Sequence, residues 1–301
     1  MIRRSQPSLR DILFTVHGSI IPSILGRLAA IGAVSLVAVL AAGLHPGIFA
    51  TISAFPFTLI GIALSVFMSF RNGTCYARWW EGRQLWGQVI TGCRGLARAS
   101  AGLPPDLRGP LLHALCGFAA GLAARLRGRD ERAAIARWQP DLPLAGRVNP
   151  TDAVLREAGA RRAAALGPGG LDPIRWSVLE GHLQALSAAQ AGCERIATTP
   201  VPFAYSLLLH RTALVFCLLL PFALAGSLGI WTLLPVLLVA YTFFGLDALG
   251  HQLEDPFGQT PYALPLDALA RAVEREMIEA ASEPGGPYRD GRAGAACRSA
   301  G

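Results

Sequence analysis

The chain has 301 residues, 52% of them hydrophobic and only 16% charged, and its formal net charge of +7 rests on arginine alone, because lysine is absent. An ordinary soluble domain carries about a quarter charged residues, so the composition excludes that class and points to a membrane protein. It also excludes a basic nucleic-acid binder, which does not spend long stretches on charge-free apolar runs.

The N-terminus, MIRRSQPSLRDILFTVHGS, is basic, and its apolar positions Leu9, Ile12, Leu13 and Val16 are interrupted by charge. Ser8, with Asp11 three residues on, resembles a capping box. We expect residues 1–24 to form an amphipathic helix at the membrane interface, not a cleaved signal.

Two windows then contain no Asp, Glu, Lys or Arg: residues 28–70 and 212–246. One helical crossing takes roughly 20 residues, so each window suits two crossings and a turn. The turns are expected at Gly43–Gly47 and Gly226–Gly229. The first pair of spans lies in 25–70 and the second in 205–250. Neither turn carries arginine, whereas the N-terminus and the segment 71–204 hold most of it, so the positive-inside rule puts both termini and the central segment in the cytoplasm.

Within 57–70 two stripes recur every four residues, the spacing that places side chains on one helix face. Gly61, Ser65 and Ser69 are small and suit close packing of membrane helices. Ile62, Val66 and Phe70 form an apolar stripe beside them. It faces either lipid, where apolar side chains need no explanation, or a central axis, where stacked apolar rings can gate ions by dewetting.

The central segment 71–204 reads as a cytosolic helical region, with Leu179, Leu183 and Leu186 on one face and no strand alternation. It is punctuated by Pro104-Pro105, Gly167–Gly170 and Pro200-Val201-Pro202. His113 with Cys116 is too sparse for a metal site. Glu194-Arg195 and the prolines after it order the approach to the third span. Arg78-Trp79-Trp80 suits a cation stacked on an aromatic face or an interfacial aromatic anchor. The six cysteines (75, 93, 116, 193, 217, 297) show no paired spacing and are expected to be reduced and mostly buried. Asp247, His251 and Glu254 share a helix face where the last span ends. Two readings stand, a polar lining or weak ion site and a solvated, hydrogen-bonded helix end. A helical segment 251–281 follows, then a Gly-rich, disordered tail 282–301. GxSxG, HExxH and P-loop motifs are absent, so no enzyme and no cofactor are expected.

Three stretches together resemble the bestrophin family, and its bacterial members above all, over about residues 5–275: Phe70-Arg71-Asn72 leading into CYARWW (75–80), AGCERIATTPVPFAY (191–205), and LEDPFG with LPLD (253–258, 264–267). The resemblance implies an all-α homopentamer around a central pore, with four membrane helices and a large helical cytosolic region per subunit. It places the pore neck at Ile62, Val66 and Phe70, with Phe70 eight residues before Arg78, and a cytosolic aperture at Ile174. Val66 stands where relatives carry a bulkier residue. The acidic run that forms a calcium clasp in animal members reads Gln259-Thr260-Pro261-Tyr262-Ala263 here, without carboxylates for the ion.

The resemblance to the bacterial members, which are similar to monovalent cation channels, implies a channel of the bacterial inner membrane that passes monovalent cations and ignores calcium. Its partners would be monovalent ions, membrane lipids and its own copies, not nucleic acid. The alternatives are a chloride or anion channel like the animal members, a secondary transporter, and a membrane-anchored interaction protein.

Overall fold

The computed structural model describes residues 19–164 and 172–282, and in that range every regular element is helical. Most of the expected N-terminal helix, the Gly167–Gly170 break, Cys297 and nearly all of the expected tail lie outside the described residues. The chain divides into two compact units, Met1–Gly82 with Ile196–Leu264, and Arg83–Arg195 with Pro265–Gly301.

In the first unit, α1 (Ile21–Leu44) ends at His45, and a single short turn of helix, α2 (Pro46–Phe49), follows. The second helix of the pair, α3, spans Phe55–Ala99. It does not stop at residue 70, where the apolar window closes. Nothing in 71–99 is a proline, and although five glycines lower its propensity, Cys75, Trp86, Val89, Cys93 and Leu96 are buried at helical spacing, so the helix continues across the polarity change and contributes to both units.

The second window folds back as α8 (Phe203–Leu228) and α9 (Leu233–Glu254), joined by a 3-10 turn at Gly229–Thr232. Gly229 has φ +53°, a conformation that glycine adopts at no steric cost, and this ends α8. Pro200 to Pro202 close off α7 (Pro173–Thr198) before α8 begins. Pro221 and Pro235 break neither helix. Pro221 is buried inside a continuous α8, and Pro235 sits in the first turn of α9, where its missing N–H is no loss.

The core of this unit joins Ile24 and Ile31 of α1, Leu64 and Met68 of α3, Leu209, Phe216 and Leu220 of α8, and Val236, Ala240 and Phe243 of α9. Phe216 and Phe243 meet edge to face at 5.6 Å, the arrangement ring quadrupoles favour.

In the second unit, α4 (Pro105–Leu126) is enclosed by α5 (Glu131–Ala136), α6 (Pro150–Ala164) and α10 (Leu266–Ser282). The Asp130 side chain accepts from the backbone of Arg132 and Ala133 and starts α5; Asn149 does the same for Asp152 in α6. Leu179, Leu183 and Leu186 are all buried along α7, as their spacing predicts. Arg125 reaches Glu131 at 2.9 Å and Glu194 at 3.1 Å, and Glu194 also accepts from Asn149 and Gln190. Glu194 therefore ties α4, α6 and α7 together.

Among the described residues, four helical stretches are long and apolar enough to cross a membrane: Ile21–Leu44, Phe55–Ala99, Pro105–Leu126 and Phe203–Glu254. The count matches the expectation but the membership differs, because the last stretch contains both arms of the second hairpin, and α4 was not expected. The most apolar window of α4 is 72% buried by protein, against 17–39% for the other three. Its apolar residues are consumed by neighbouring helices.

Candidate functional site

The helix α3 presents three kinds of face in its apolar half. Successive residues turn by about 100°, so Leu64, Met68, Arg71 and Cys75 fall on one side, and all four are buried. Ile62, Val66 and Phe70 fall on roughly the opposite side and are 59%, 48% and 66% exposed. Packing within the protomer therefore leaves the expected neck residues free. The small-residue stripe lies between these faces. A Cβ at Gly61 would sit 3.2 Å from the ring of Phe216. Ser65 and Ser69 are exposed, and Ser65 returns its hydroxyl to the Gly61 carbonyl at 2.8 Å. Inside the protomer, the wall against α8 and α9 is built by Leu64 and Met68 and not by the small stripe. Gly61, Ser65 and the neck residue Ile62 instead line an uncharged groove of about 360 Å³ with Phe216, Val239 and Phe243.

Ile174 is the second residue of α7 and is 75% exposed. The carboxylate of Asp172 accepts from its backbone N–H at 3.2 Å and from that of Arg175 at 3.3 Å. This cap fixes the helix start that displays Ile174.

The stripe Asp247, His251, Glu254 does not form a solvated helix end. Asp247 is 2% exposed and faces three other helices. Arg71 of α3, itself 1% exposed, reaches it at 3.0 Å; Arg27 of α1 reaches it at 3.4 Å; His210 Nδ1 of α8 lies 2.8 Å away. Glu254 is 3.7 Å from Arg71, and His251 is exposed. A Cβ at Gly250 would run into the Asn72 side chain and sit 3.2 Å from Arg71 Nη1, so glycine here leaves both side chains of α3 their room beside α9. A lone buried carboxylate is costly, and a paired one needs its lone pairs filled; Asp247 has donors on both oxygens.

Sequence reasoning missed this cluster, yet a signal for it was present. Arg27 and Arg71 are the residues that flank the first charge-free window, and Asp247 closes the second. His210 lies beside Arg211, which opens it. Each window folds as a hairpin, so its two edges return to one level, and there the edge charges of both hairpins meet.

Arg78 does not stack on Trp79 or Trp80. Its guanidinium donates to the carbonyls of Ile196, Thr199 and Glu254 at 2.5–3.3 Å. These are carbonyls at the C-terminal ends of α7 and α9, which lack helical partners and carry partial negative charge. Trp79 Nε1 donates to the Tyr262 carbonyl at 3.0 Å, and its ring stacks with Tyr76. Trp80 is exposed. His113 and Cys116 do not converge: His113 is exposed and lies against Trp138, while Cys116 is buried. Cys75, Cys93, Cys116, Cys193 and Cys217 are all buried.

Over residues 1–279 the chain matches the Bacterial/Fungal Bestrophin protein family. The chain belongs to the bestrophin family. It is 42% identical over 291 residues to a voltage-dependent anion channel-forming protein of Mesorhizobium japonicum, covering 94% of this chain and 93% of that one. A protein of the same description from Escherichia coli is 37% identical over 286 residues, covering 93% of each. A solved bacterial bestrophin homolog from Klebsiella pneumoniae superposes with a TM-score of 0.82 at 34% identity, over 87% of this chain and 99% of that one. The ion named for these relatives is an anion, whereas the expectation drawn from the family resemblance put a monovalent cation first and an anion second. The uncharged neck stripe offers no fixed charge that would set the sign, so sequence pattern could not have decided it.

Proposed function

We propose that this bestrophin is an anion channel of the bacterial inner membrane, assembled as a homopentamer. The observation that carries the reading is the near full-length similarity to proteins described as voltage-dependent anion channel-forming. Four crossings are assigned to α1, the apolar half of α3, α8 and α9. Helix α4 is assigned none, because its apolar surface is already covered by protein. The meeting of Arg27, Arg71, His210 and Asp247 supports hairpins that enter and leave on one side, and the arginine-rich segment 71–204 supports the cytoplasm as that side.

In the assembly, copies of α3 turn Ile62, Val66 and Phe70 toward the axis and stack three apolar rings. Ile174 narrows a cytosolic exit. Protomer packing supports this role by leaving the three neck side chains unused. An apolar constriction binds no ion tightly, so an ion leaves as readily as it enters, and a modest change in bore wets or dries it. Membrane lipids cover the remaining apolar surface of the spans.

The test is purified protein in a planar bilayer under a chloride gradient. The reversal potential should move toward that of the anion, and replacing Ile62, Val66 and Phe70 together by Ala should raise conductance or open probability several-fold. A reversal potential at the cation value returns the sign to the first expectation. Currents unaffected by the triple replacement, or no currents, remove the neck.

A further inference from the structure

The edge cluster contains one group whose chemistry is not fixed at neutral pH. His210 Nε2 lies 3.2 Å from Arg27 Nη2, and His210 Nδ1 lies 2.8 Å from Asp247 Oδ1. A guanidinium only donates. For both contacts to be hydrogen bonds, Nε2 accepts from Arg27 and Nδ1 carries the ring proton toward Asp247, so that the neutral ring bridges α1 and α9.

We propose that His210 is a proton-operated latch between α1 and the α8–α9 hairpin, through which acidification regulates the channel. The regulatory part rests on the channel reading; the latch does not. The groups facing the site are Arg27 from α1, Arg71 from α3, and Asp247 and Glu254 from α9, with Arg211 exposed next to His210 and His251 exposed one turn beyond Asp247. With His210 neutral, two arginines and two carboxylates balance. A proton taken from water by Nε2 leaves one surplus positive charge in this cluster. It also sets an N–H against the N–H of Arg27 in place of an acceptor, so the bridging hydrogen bond breaks. His210 is 43% exposed and Arg27 45%, so the proton can arrive and the guanidinium can swing to water. Arg71 cannot move in this way, because it is buried. The weak point is therefore the bridge to α1.

Histidine changes charge between about pH 5 and 8. The experiment compares the melting temperature of the purified full chain at about pH 8 and pH 5.5 for the wild type, His210→Asn and Arg27→Gln. Asn keeps a donor toward Asp247 and does not titrate. Gln at position 27 can turn its carbonyl to a protonated Nε2. The wild type should lose about 2–4 °C more on acidification than either variant. If His210→Asn fails to assemble, Arg27→Gln gives the same comparison. Retention of the full acid loss in the variants overturns the latch.

Bilayer currents across the same pH steps test the regulation. Wild-type current should change several-fold and His210→Asn current should not. Currents indifferent to pH, alongside the expected melting shift, overturn the regulatory role while the latch stands. Protein without current under any condition overturns the channel reading and leaves melting to judge the latch.

Discussion

Arg71 and Asp247, 176 residues apart in the chain, face each other with Nη1 3.0 Å from Oδ1 and side-chain exposures of 1% and 3%. The pair joins the second helix of one apolar hairpin to the last helix of the other, at the edge where both leave their charge-free stretches. Such a pair is no proof of extra stability, since desolvation offsets most of its attraction. It is a strong constraint on geometry, because neither partner tolerates the loss of the other.

Asp247→Asn keeps the side-chain volume and removes the charge. Arg71 then stays buried with only Glu254, 3.7 Å away, as a counter-charge. The expected cost is about 3–5 kcal/mol, read as a melting temperature lowered by the order of 10 °C. A loss below about 1 kcal/mol would mean that the pair is solvated in the assembled protein.

Arg78→Lys tests the helix-end role. A guanidinium reaches the carbonyls of Ile196, Thr199 and Glu254 together through its planar fork, and a lysine ammonium on a flexible stem cannot match that geometry. Lysine keeps the charge, so the change isolates the hydrogen bonds. We expect about 1–3 kcal/mol of destabilisation and faster amide exchange at the ends of α7 and α9. Unchanged exchange at both ends would place the role of Arg78 elsewhere.

In the second unit, the guanidinium of Arg94 donates to both oxygens of Glu276, at 2.8 and 2.6 Å. These hydrogen bonds hold the Glu276 carboxyl below its usual range, although burial pushes it the other way. The folded form binds the proton less readily than the unfolded one, so this stabilisation is complete above the ordinary glutamate value of about 4.3 and fades as pH falls below it. Melting curves of Arg94→Gln should lie slightly below the wild type at pH 6 and merge with it near pH 3. Curves that stay parallel to the acid limit would assign the difference to something other than the Glu276 charge.

Much of this architecture was legible in the chain. The windows 28–70 and 212–246 carry no charge because lipid does not tolerate it, so their lengths announce paired crossings, and His45-Pro46 and Gly229 announce the turns. The leucine stripe of α7 was legible for the same reason, since burial imposes a period. The family was legible because its motifs are long. What could not be read was which apolar face of α3 meets protein. Ile62 and Leu64 are equally apolar, and a helix apolar on every side carries no period that separates core from lipid or pore. The length of α3 past residue 70 was missed because polarity changes there while no proline ends the helix.

Where the chain is apolar, where it turns and to which family it belongs can all be read from the residues in order, because these depend on local composition and spacing. It took the folded chain to reveal that Arg27, Arg71, His210 and Asp247 share one site, that Arg78 closes two helix ends, and that α4 is wrapped by protein. The pairings of Arg27, Arg71 and Arg78 join residues more than a hundred positions apart, and those of Arg27 and Arg71 arise when folded hairpins bring their edges to the same depth. No local pattern along the chain encodes that depth.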